Sequence, residues 1–358
     1  MATAIRIEAL PARLGDCLLV ECLRGNRRPW RMLIDGGPSD TWPLLEARLL
    51  DLPAAQRGID VAVVTHVDSD HIGGFLPFVA SDFAREQVRD FWFNGHPHLV
   101  GDRRRSIEQG ESLGSVLTGS SDGPALPWNE AFDARAIVMP DSGLAEVKVR
   151  GGPRITVLSP DAHHLSALAR TWSAVLRKER AGTRAIGGPD RPRALKDLQA
   201  LAAENSPKDD SVPNGSSIGL LVEHRGASVV LAGDGFGAVL AEGLAAVAAD
   251  RGLDVLPVDA FKLPHHGSRG NVLEPMLAVA PAKHYVFSSN GDTFHHPDDA
   301  AVARTVLAAP KGATLWFNYR NARTERWDEP DLRRRHGYRV RFPEDESSGA
   351  VLELPASG

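Results

Sequence analysis

Val61-Ala-Val-Val-Thr-His-Val-Asp-Ser-Asp-His-Ile-Gly-Gly74 joins an apolar run to a cluster of two histidines and two carboxylates. The apolar run is β-branched or small without polar interruption, which is typical of a strand covered on both faces. His66, Asp68 and Asp70 alternate, so an extended segment would point all three side chains the same way. His71 would then come from the turn that the glycine pair allows before a following helix.

The polar cluster at the end of this strand predicts a metal site. A single histidine or aspartate after a strand is usually a cap or a turn residue. Here two imidazoles and two carboxylates share a short segment, and carboxylates held close together repel one another unless a cation lies between them. We therefore interpret His66, Asp68, Asp70 and His71 as metal ligands.

The composition is that of a globular chain. Its 358 residues are 42% hydrophobic, which is enough for a substantial core. No apolar stretch approaches the roughly 20 residues needed to span a bilayer, and the first residues predict a strand instead of a signal peptide. We expect a cytoplasmic protein without membrane association. The net charge of -5 argues against indiscriminate electrostatic binding of nucleic acid but leaves room for a local basic groove.

The rest of the chain shows two halves with a similar order of predicted strands and helices, separated by an irregular middle part. Three predicted strands between Ile5 and Gly37 form an antiparallel meander, and strand and helix units follow. Residues 101–213 are the least regular part. Within them, residues 179–212 are rich in glycine, proline and charged residues, which predicts a mobile loop. Alternating strand and helix patterns return after Asn214.

Further polar motifs stand at the ends of later predicted strands. Asp234 follows an apolar run and lies between two glycines, the same arrangement as at the first cluster. The remaining motifs are Asn214-Gly-Ser-Ser217, Lys262-Leu-Pro-His-His-Gly-Ser268 and His296-Pro297.

Taken in order, these motifs resemble the signature of the metallo-β-lactamase superfamily, in the variant in which an aspartate, here Asp68, replaces the second histidine. This variant is similar to the hydrolase domain of the bacterial competence DNA-uptake channel protein and its soluble stand-alone relatives. The resemblance implies an α/β fold, a four-layer αββα sandwich with two sheets face to face and helices outside. It implies one domain over residues 1–358, with an irregular insertion at about 98–213.

The resemblance also implies a centre of two divalent metal ions. His66 and Asp68 would bind one ion, Asp70 and His71 the other, and Asp234 would bridge them. One histidine of the 265/266 pair would complete the second site, and the sequence leaves open which one. We assign His265 to the metal, and His266, with His296, to catalysis. Asp16 and Asp35 would hold the ligands or fix their loops, although an ordinary turn explains Asp35 equally well.

Metal identity and substrate contacts follow from the same comparison of motifs. Asp68, together with Asn214 at a position where many members have a histidine, makes the first site rich in oxygen. This shifts the preference from strict zinc toward Mn²⁺, with zinc retained as an alternative. The predicted substrate contacts are Lys262, Ser268, Arg269 and Asn214. For Lys262 and Arg269 a surface salt bridge is an equal alternative.

Two cations about 3.5–4 Å apart lower the pKa of a bridging water to about 7, so the predicted chemistry is hydrolysis by a metal-activated hydroxide. The resemblance favours a phosphodiesterase or nuclease acting on nucleic acid or a nucleotide. Stand-alone relatives occur in bacterial defence gene sets, which implies a defence role with a protein partner. Two alternatives stay open: an acyl hydrolase (lactonase, thioesterase or amidase), and an effector subunit gated by a partner through the 179–212 loop.

Overall fold

The computed structural model describes residues 2–100, 112–119, 124–180, 195, 197–345 and 347–357. Much of the predicted mobile loop, residues 181–194 and 196, lies outside the described residues. The strands are β1 (Thr3–Ala9), β2 (Leu18–Arg24), β3 (Arg27–Ile34), β4 (Val61–Val63), β5 (Phe91–Trp92), β6 (Glu146–Lys148), β7 (Arg154–Ser159), β8 (Gly219–His224), β9 (Ala227–Leu231), β10 (Val258–Lys262), β11 (Ala282–Phe287), β12 (Thr314–Phe317), β13 (Arg339–Arg341) and β14 (Ala350–Pro355).

The helices connect and cover these strands. They are α1 (Trp42–Leu50), α2 (Ser69–Ile72), α3 (Phe75–Ala80), α4 (Asp82–Gln87), α5 (His96–Val100), α6 (Ser112–Leu117), α7 (Ala162–Arg180), α8 (Leu198–Ala202), α9 (Val212–Gly215), α10 (Gly237–Asp250), α11 (Glu274–Val279), α12 (Asp299–Ala308) and α13 (Pro330–His336). In the part of the chain that the structure describes, no helix is both long and apolar enough to cross a membrane.

The first sheet has six strands in the order β14-β1-β2-β3-β4-β5. β1, β2 and β3 pair antiparallel, which confirms the predicted meander. β4 pairs parallel with both β3 and β5. The carboxyl ends of these three strands therefore lie at one edge of the sheet, where Asp35 follows β3 and His66 follows β4.

The second sheet has eight strands in the order β13-β12-β11-β10-β9-β8-β7-β6. β9, β10, β11 and β12 are parallel neighbours. Asp234 follows β9, and the 265/266 histidine pair follows β10. The two chain segments that the sequence motifs single out in the second half thus leave adjacent parallel strands at the same edge.

Three apolar layers alternate with the sheets and helices. Between the two sheets, residues such as Ile7 and Val20 pack with Leu220 and Val229. Outside the second sheet, α10, α11 and α12 bury their apolar faces against it. Outside the first sheet, α1 and α3 do the same, with Phe75 fully buried. Helix, sheet, sheet and helix are therefore four successive layers, which confirms the predicted fold class.

The region predicted as an irregular insertion contributes to both halves. β6 and β7 extend the second sheet, with β7 antiparallel to β8. α7 buries Leu168 and Trp172 in the apolar layer outside the first sheet. Near α8, the guanidinium of Arg304 in α12 donates to the carbonyls of Ala202 and Glu204, which holds the segment leading to Asp209 against α12.

Candidate metal centre

The predicted ligand loop follows β4 and turns sharply. Asp68 has extended backbone, but Ser69–Ile72 form the helical turn α2, and the backbone N–H of His71 donates to the Asp68 carbonyl at 2.9 Å. The prediction that an extended segment continues through Asp70 is therefore wrong. Asp70 and His71 reach the centre from a helical turn, whereas His66 reaches it from extended backbone.

Two glycines let neighbouring loops approach this turn. A methyl group on Gly15 would overlap the backbone carbonyl oxygen of Asp70, and one on Gly36 would overlap the backbone nitrogen of Phe75. The backbone N–H of Gly36 also donates to the His71 carbonyl at 2.8 Å. The prediction that glycine after β3 permits close approach of the ligand loop is confirmed.

Two histidines of the loop are held through their Nδ1 atoms. His71 Nδ1 lies 2.8 Å from Asp35 Oδ2, and the same carboxylate accepts hydrogen bonds from the backbone N–H and hydroxyl of Thr65. His66 Nδ1 lies 2.9 Å from the Thr65 hydroxyl. All four side chains are buried. Asp35 and Thr65 therefore fix the orientation of both rings and leave each Nε2 directed at the centre.

The Asp234 carboxylate lies where the histidine Nε2 atoms converge. Its Oδ2 is 3.9 Å from His66 Nε2 and 3.3 Å from His71 Nε2, and its Oδ1 is 3.6 Å from His266 Nε2. None of these three buried Nε2 atoms has a hydrogen-bond partner among the described residues. Unpaired buried imidazole nitrogens around a carboxylate are costly unless a cation satisfies them, so these donors fit divalent metal ions.

The electrostatics of the centre reflect this crowding of charge. Burial would raise the pKa of Asp234, but nearby His71, His266 and His265 hold it well below its usual range. Burial would lower the pKa of His71, but the carboxylates of Asp234 and Asp35 raise it well above its usual value. Burial and then the charge of His71 lower the pKa of His66 far below its usual value. The metal-free centre therefore favours a proton where a cation would lie.

The remaining loop carboxylates divide between two positions. Asp68 Oδ2 is 3.7 Å from His66 Nε2. Asp70 Oδ2 is 3.9 Å from His71 Nε2 and 3.8 Å from His266 Nε2. Asp68 thus lies beside His66, and Asp70 lies between His71 and His266.

The histidine pair after β10 has a geometry that differs from the predicted assignment. His266 is buried and directs Nε2 at Asp70 and Asp234. His265 is partly exposed, its Nε2 is 3.8 Å from Asp234 Oδ2, and its Nδ1 is 3.2 Å from Asp209 Oδ2. The geometry thus favours His266 as the ligand and His265 as the neighbouring acid–base group. The local sequence could not separate them, since both are histidines of the same turn. Both have left-handed backbone, with φ of 47° for His265 and 53° for His266.

Lys262 also lies elsewhere than predicted. Its side chain is buried, and its ammonium group donates to Asp16 Oδ2 at 2.5 Å and to the Leu263 carbonyl at 3.1 Å. It therefore forms neither a surface salt bridge nor an exposed contact for a substrate anion. Burial would raise the pKa of Asp16, but Lys262 and then His266 hold it well below its usual range.

Asp16 is closer to the centre than a loop-fixing role requires. One ligand atom from each of Asp16, His71, Asp234 and His266 lies within 4.8 Å of the other three. The sequence identified Asp16 only as a supporting group, because it stands in a turn before β2 without a neighbouring histidine.

The other predicted substrate-side residues lie around the histidine pair. Asn214 is buried and donates from Nδ2 to Asp209 Oδ2 at 2.7 Å. The ring of His296 is centred 5.1 Å from that of His265. The Ser268 hydroxyl accepts from the backbone N–H of Gly270 at 3.3 Å, as a turn residue does. The side chain of Arg269 is partly exposed.

Sequence reasoning missed Asp209. It lies within the predicted mobile loop, yet its Oδ2 accepts from Asn214 and from Asn271 and lies beside His265. Only the short spacing to Asn214 hinted at a connection. Asp209 also lines a cavity of about 610 Å³, in which apolar side chains such as Val212, Phe236 and Leu273 lie beside polar and charged ones such as Lys208.

The solved structures that are similar to this chain share little sequence identity with it. The metallo-β-lactamase fold protein YhfI from Bacillus subtilis is 11% identical over 99% of this chain and 100% of that chain, with a TM-score of 0.43. Zn²⁺-bound PqqB from Methylobacterium extorquens is 12% identical over 98% and 100%, with a TM-score of 0.42. Igni18, a metallo hydrolase from Ignicoccus hospitalis, is 14% identical over 98% of each chain, with a TM-score of 0.41.

A search of curated proteins gave no match. The family model of the metallo-β-lactamase superfamily, in contrast, matches residues 17–289, which is most of the chain and includes every ligand position described above except Asp16. Members of this superfamily are mostly metal-dependent hydrolases. With the fold, the unpaired imidazole nitrogens and this match together, the chain belongs to the metallo-β-lactamase superfamily.

Proposed function

We propose that the protein is a metal-dependent phosphodiesterase that acts on nucleic acid or a nucleotide. His66, Asp68 and Asp234 would hold one divalent ion, and Asp70, His71, His266 and Asp234 the other. When bound, such ions activate water as a nucleophile and neutralise charge on phosphoryl oxygens. The donor set is rich in carboxylates, so Mn²⁺ and Zn²⁺ are the ions to test first.

The observation that supports phosphoryl chemistry is the position of His265. It lies beside the ligands with Nε2 directed at the centre, while Asp209 Oδ2 and Asn271 Oδ1 accept from its Nδ1 side at 3.2 and 3.1 Å. Burial would lower its pKa, but Asp234 and Asp209 raise it to about 9. With its Nδ1 beside Asp209, His265 places Nε2 where it can bind a phosphate oxygen or, as the imidazolium, protonate a leaving oxygen.

The test begins with protein stripped by a chelator and reloaded with Mn²⁺ or Zn²⁺. Bis(p-nitrophenyl) phosphate, single- and double-stranded DNA, RNA and cyclic dinucleotides are then offered as substrates. We expect turnover of at least one phosphodiester, and a loss of about 100-fold or more in His265→Gln with unchanged metal content. His163→Gln, which changes an exposed histidine, is the matched control. Absence of phosphodiester hydrolysis with either metal would refute the proposal.

The cavity beside Asp209 favours one alternative, an acyl hydrolase. Its apolar wall, with Phe236 and Leu273, would accommodate an acyl chain or a lactone ring better than a phosphate. Thioesters and lactones therefore belong in the same assay. Turnover of these substrates that survives His265→Gln would favour acyl chemistry over phosphodiester hydrolysis. Full metal occupancy without turnover of either class would instead favour a subunit that needs a partner.

A further inference from the structure

A buried hydrogen-bond chain runs from the second sheet to the metal ligand His266. Lys262 donates to Asp16 Oδ2 at 2.5 Å, the Ser288 hydroxyl lies 2.5 Å from Asp16 Oδ1, and His266 Nδ1 lies 3.1 Å from the Ser288 hydroxyl. All four side chains are buried. We infer that Lys262, Asp16 and Ser288 act as positioning residues, whose chain fixes His266 in the tautomer that presents an unprotonated Nε2 to the metal.

The direction of the chain follows from what each group can donate. Lys262 has only donors, so Asp16 must accept from it. An ionised Asp16 has only acceptors, so at its other oxygen it needs a donor, and the Ser288 hydroxyl supplies its single proton. Ser288 then faces His266 Nδ1 with a lone pair. The proton between Ser288 and His266 must therefore be on Nδ1, which leaves Nε2 with its lone pair.

The opposite tautomer would leave two acceptors in contact. If His266 carried its proton on Nε2, Nδ1 would accept from Ser288, and no proton would remain between Ser288 and Asp16 Oδ1 at 2.5 Å. In a buried site, such a contact between two acceptors is unfavourable, and more so when one of them is charged.

The hydrogen-bond chain joins residues that lie far apart in the sequence. Asp16 stands before β2 in the first sheet, Lys262 ends β10, and Ser288 follows β11 in the second sheet. His266 itself has φ of 53°, a backbone conformation that the local sequence does not favour. The ion pair between Lys262 and Asp16 therefore joins the two sheets directly behind the ligand, and it sets the ring orientation that the strained turn alone does not determine.

Nitrogen NMR of metal-free protein labelled in histidine tests the tautomer without any substrate. At mildly alkaline pH, long-range ¹H–¹⁵N correlations distinguish Nδ1–H from Nε2–H, and the resonances absent from His266→Gln assign the ring. We expect Nδ1–H in the wild type and a mixture of tautomers in Lys262→Met. We also expect that the affinity for the ion held by Asp70, His71, His266 and Asp234 falls about 10–100-fold in Lys262→Met, measured by competition with a chelating dye.

Lys283→Met is the matched control, because Lys283 forms an exposed ion pair with Asp259 on the same sheet. It should change neither readout. An Nε2–H tautomer in the wild type would overturn the inference, and so would unchanged tautomer and affinity in Lys262→Met. If Lys262→Met does not fold, the wild-type spectrum still tests the tautomer of His266. Ser288→Ala, which removes only the hydroxyl, then tests the metal affinity, which we expect to fall. Both readouts stand whatever the enzyme hydrolyses.

Discussion

Among the candidate ligands, His71 and Asp234 each contact several other charged groups. His71 is buried between Asp35 and Asp234, and Asp234 lies within 4 Å of several imidazole nitrogens. We predict that His71→Ala and Asp234→Ala each lose at least one bound metal ion per chain. Hydrolytic activity should fall by more than about 100-fold, beyond the range typical of residues that only orient ligands. Elemental analysis of the purified variants measures the metal content.

The control for these two variants is His163→Ala, since His163 is exposed at the start of α7. It should retain the full metal content and activity. Wild-type metal content in both His71→Ala and Asp234→Ala would contradict the ligand assignment.

His265 gives the metal-free protein a pH dependence with a defined sign. Its pKa is about 9 in the folded state, above the roughly 6.5 of an unperturbed histidine. A raised folded-state pKa stabilises the fold fully below the unfolded value, and this contribution is lost as pH rises through about 9. We predict that the wild type loses more free energy of unfolding than His265→Gln between about pH 6.5 and pH 9. Urea unfolding of chelator-treated protein at a series of pH values measures the difference.

Other histidines titrate in the same protein, so only the difference between wild type and His265→Gln is informative. The raised pKa of His71 contributes with the same sign in both proteins. Parallel curves for wild type and His265→Gln over this range would contradict the prediction.

At the scale of elements, the contact between the turn before β2 and helix α2 leaves no space for a side chain. A methyl group on Gly15 would overlap the carbonyl oxygen of Asp70, so Gly15→Ala must displace the ligand turn. Overpacking of this kind costs about 1–3 kcal/mol. We predict that Gly15→Ala loses stability in that range and also binds metal more weakly, as measured by dye competition.

Gly252→Ala separates displacement of the ligands from a general loss of stability. Gly252 has φ of 67° with open space around its Cα, so an alanine there costs about 1–2 kcal/mol in backbone strain without touching the centre. Its metal affinity should equal that of the wild type. Equal affinity in Gly15→Ala as well would show that the turn tolerates the methyl group.

At the scale of the whole molecule, the centre joins the two sheets. His66, Asp70 and His71 follow a strand of the first sheet, whereas Asp234 and His266 follow strands of the second. Metal binding should therefore stabilise the entire sandwich. At a free ion concentration of 100 times Kd, we predict a gain of about 2.7 kcal/mol per ion. Thermal unfolding of chelator-treated protein with and without added Mn²⁺ or Zn²⁺ measures this gain.

The variant His71→Ala is the internal control for this measurement. It should show a smaller rise in Tm than the wild type at the same ion concentration. An identical rise in both proteins would mean that the ions act outside the centre.

Much of the fold could be predicted because its signals are local. The unbroken apolar run before His66, the alternating strands of the meander and the glycines after β3 each report on neighbouring residues. These signals predicted the meander and the cluster from His66 to His71, whose members lie within six residues of one another. The fold class followed from the resemblance of the motifs to the metallo-β-lactamase signature. The helical turn at Ser69–Ile72 was not predicted, because alternation of polar residues over so short a segment fits both conformations.

The sequence by itself determined the fold class and the kinds of donor that gather at the ends of the parallel strands. Only the tertiary structure distinguished His266 from His265, paired Lys262 with Asp16 and placed Asp209 beside His265. These are contacts between segments far apart in the chain, and burial and the direction of each side chain decide them. Neighbouring residues in the sequence determine neither the burial nor the direction of these side chains. The strand that ends before His66 supplies half of a centre, and the packing of the second sheet against the first completes it.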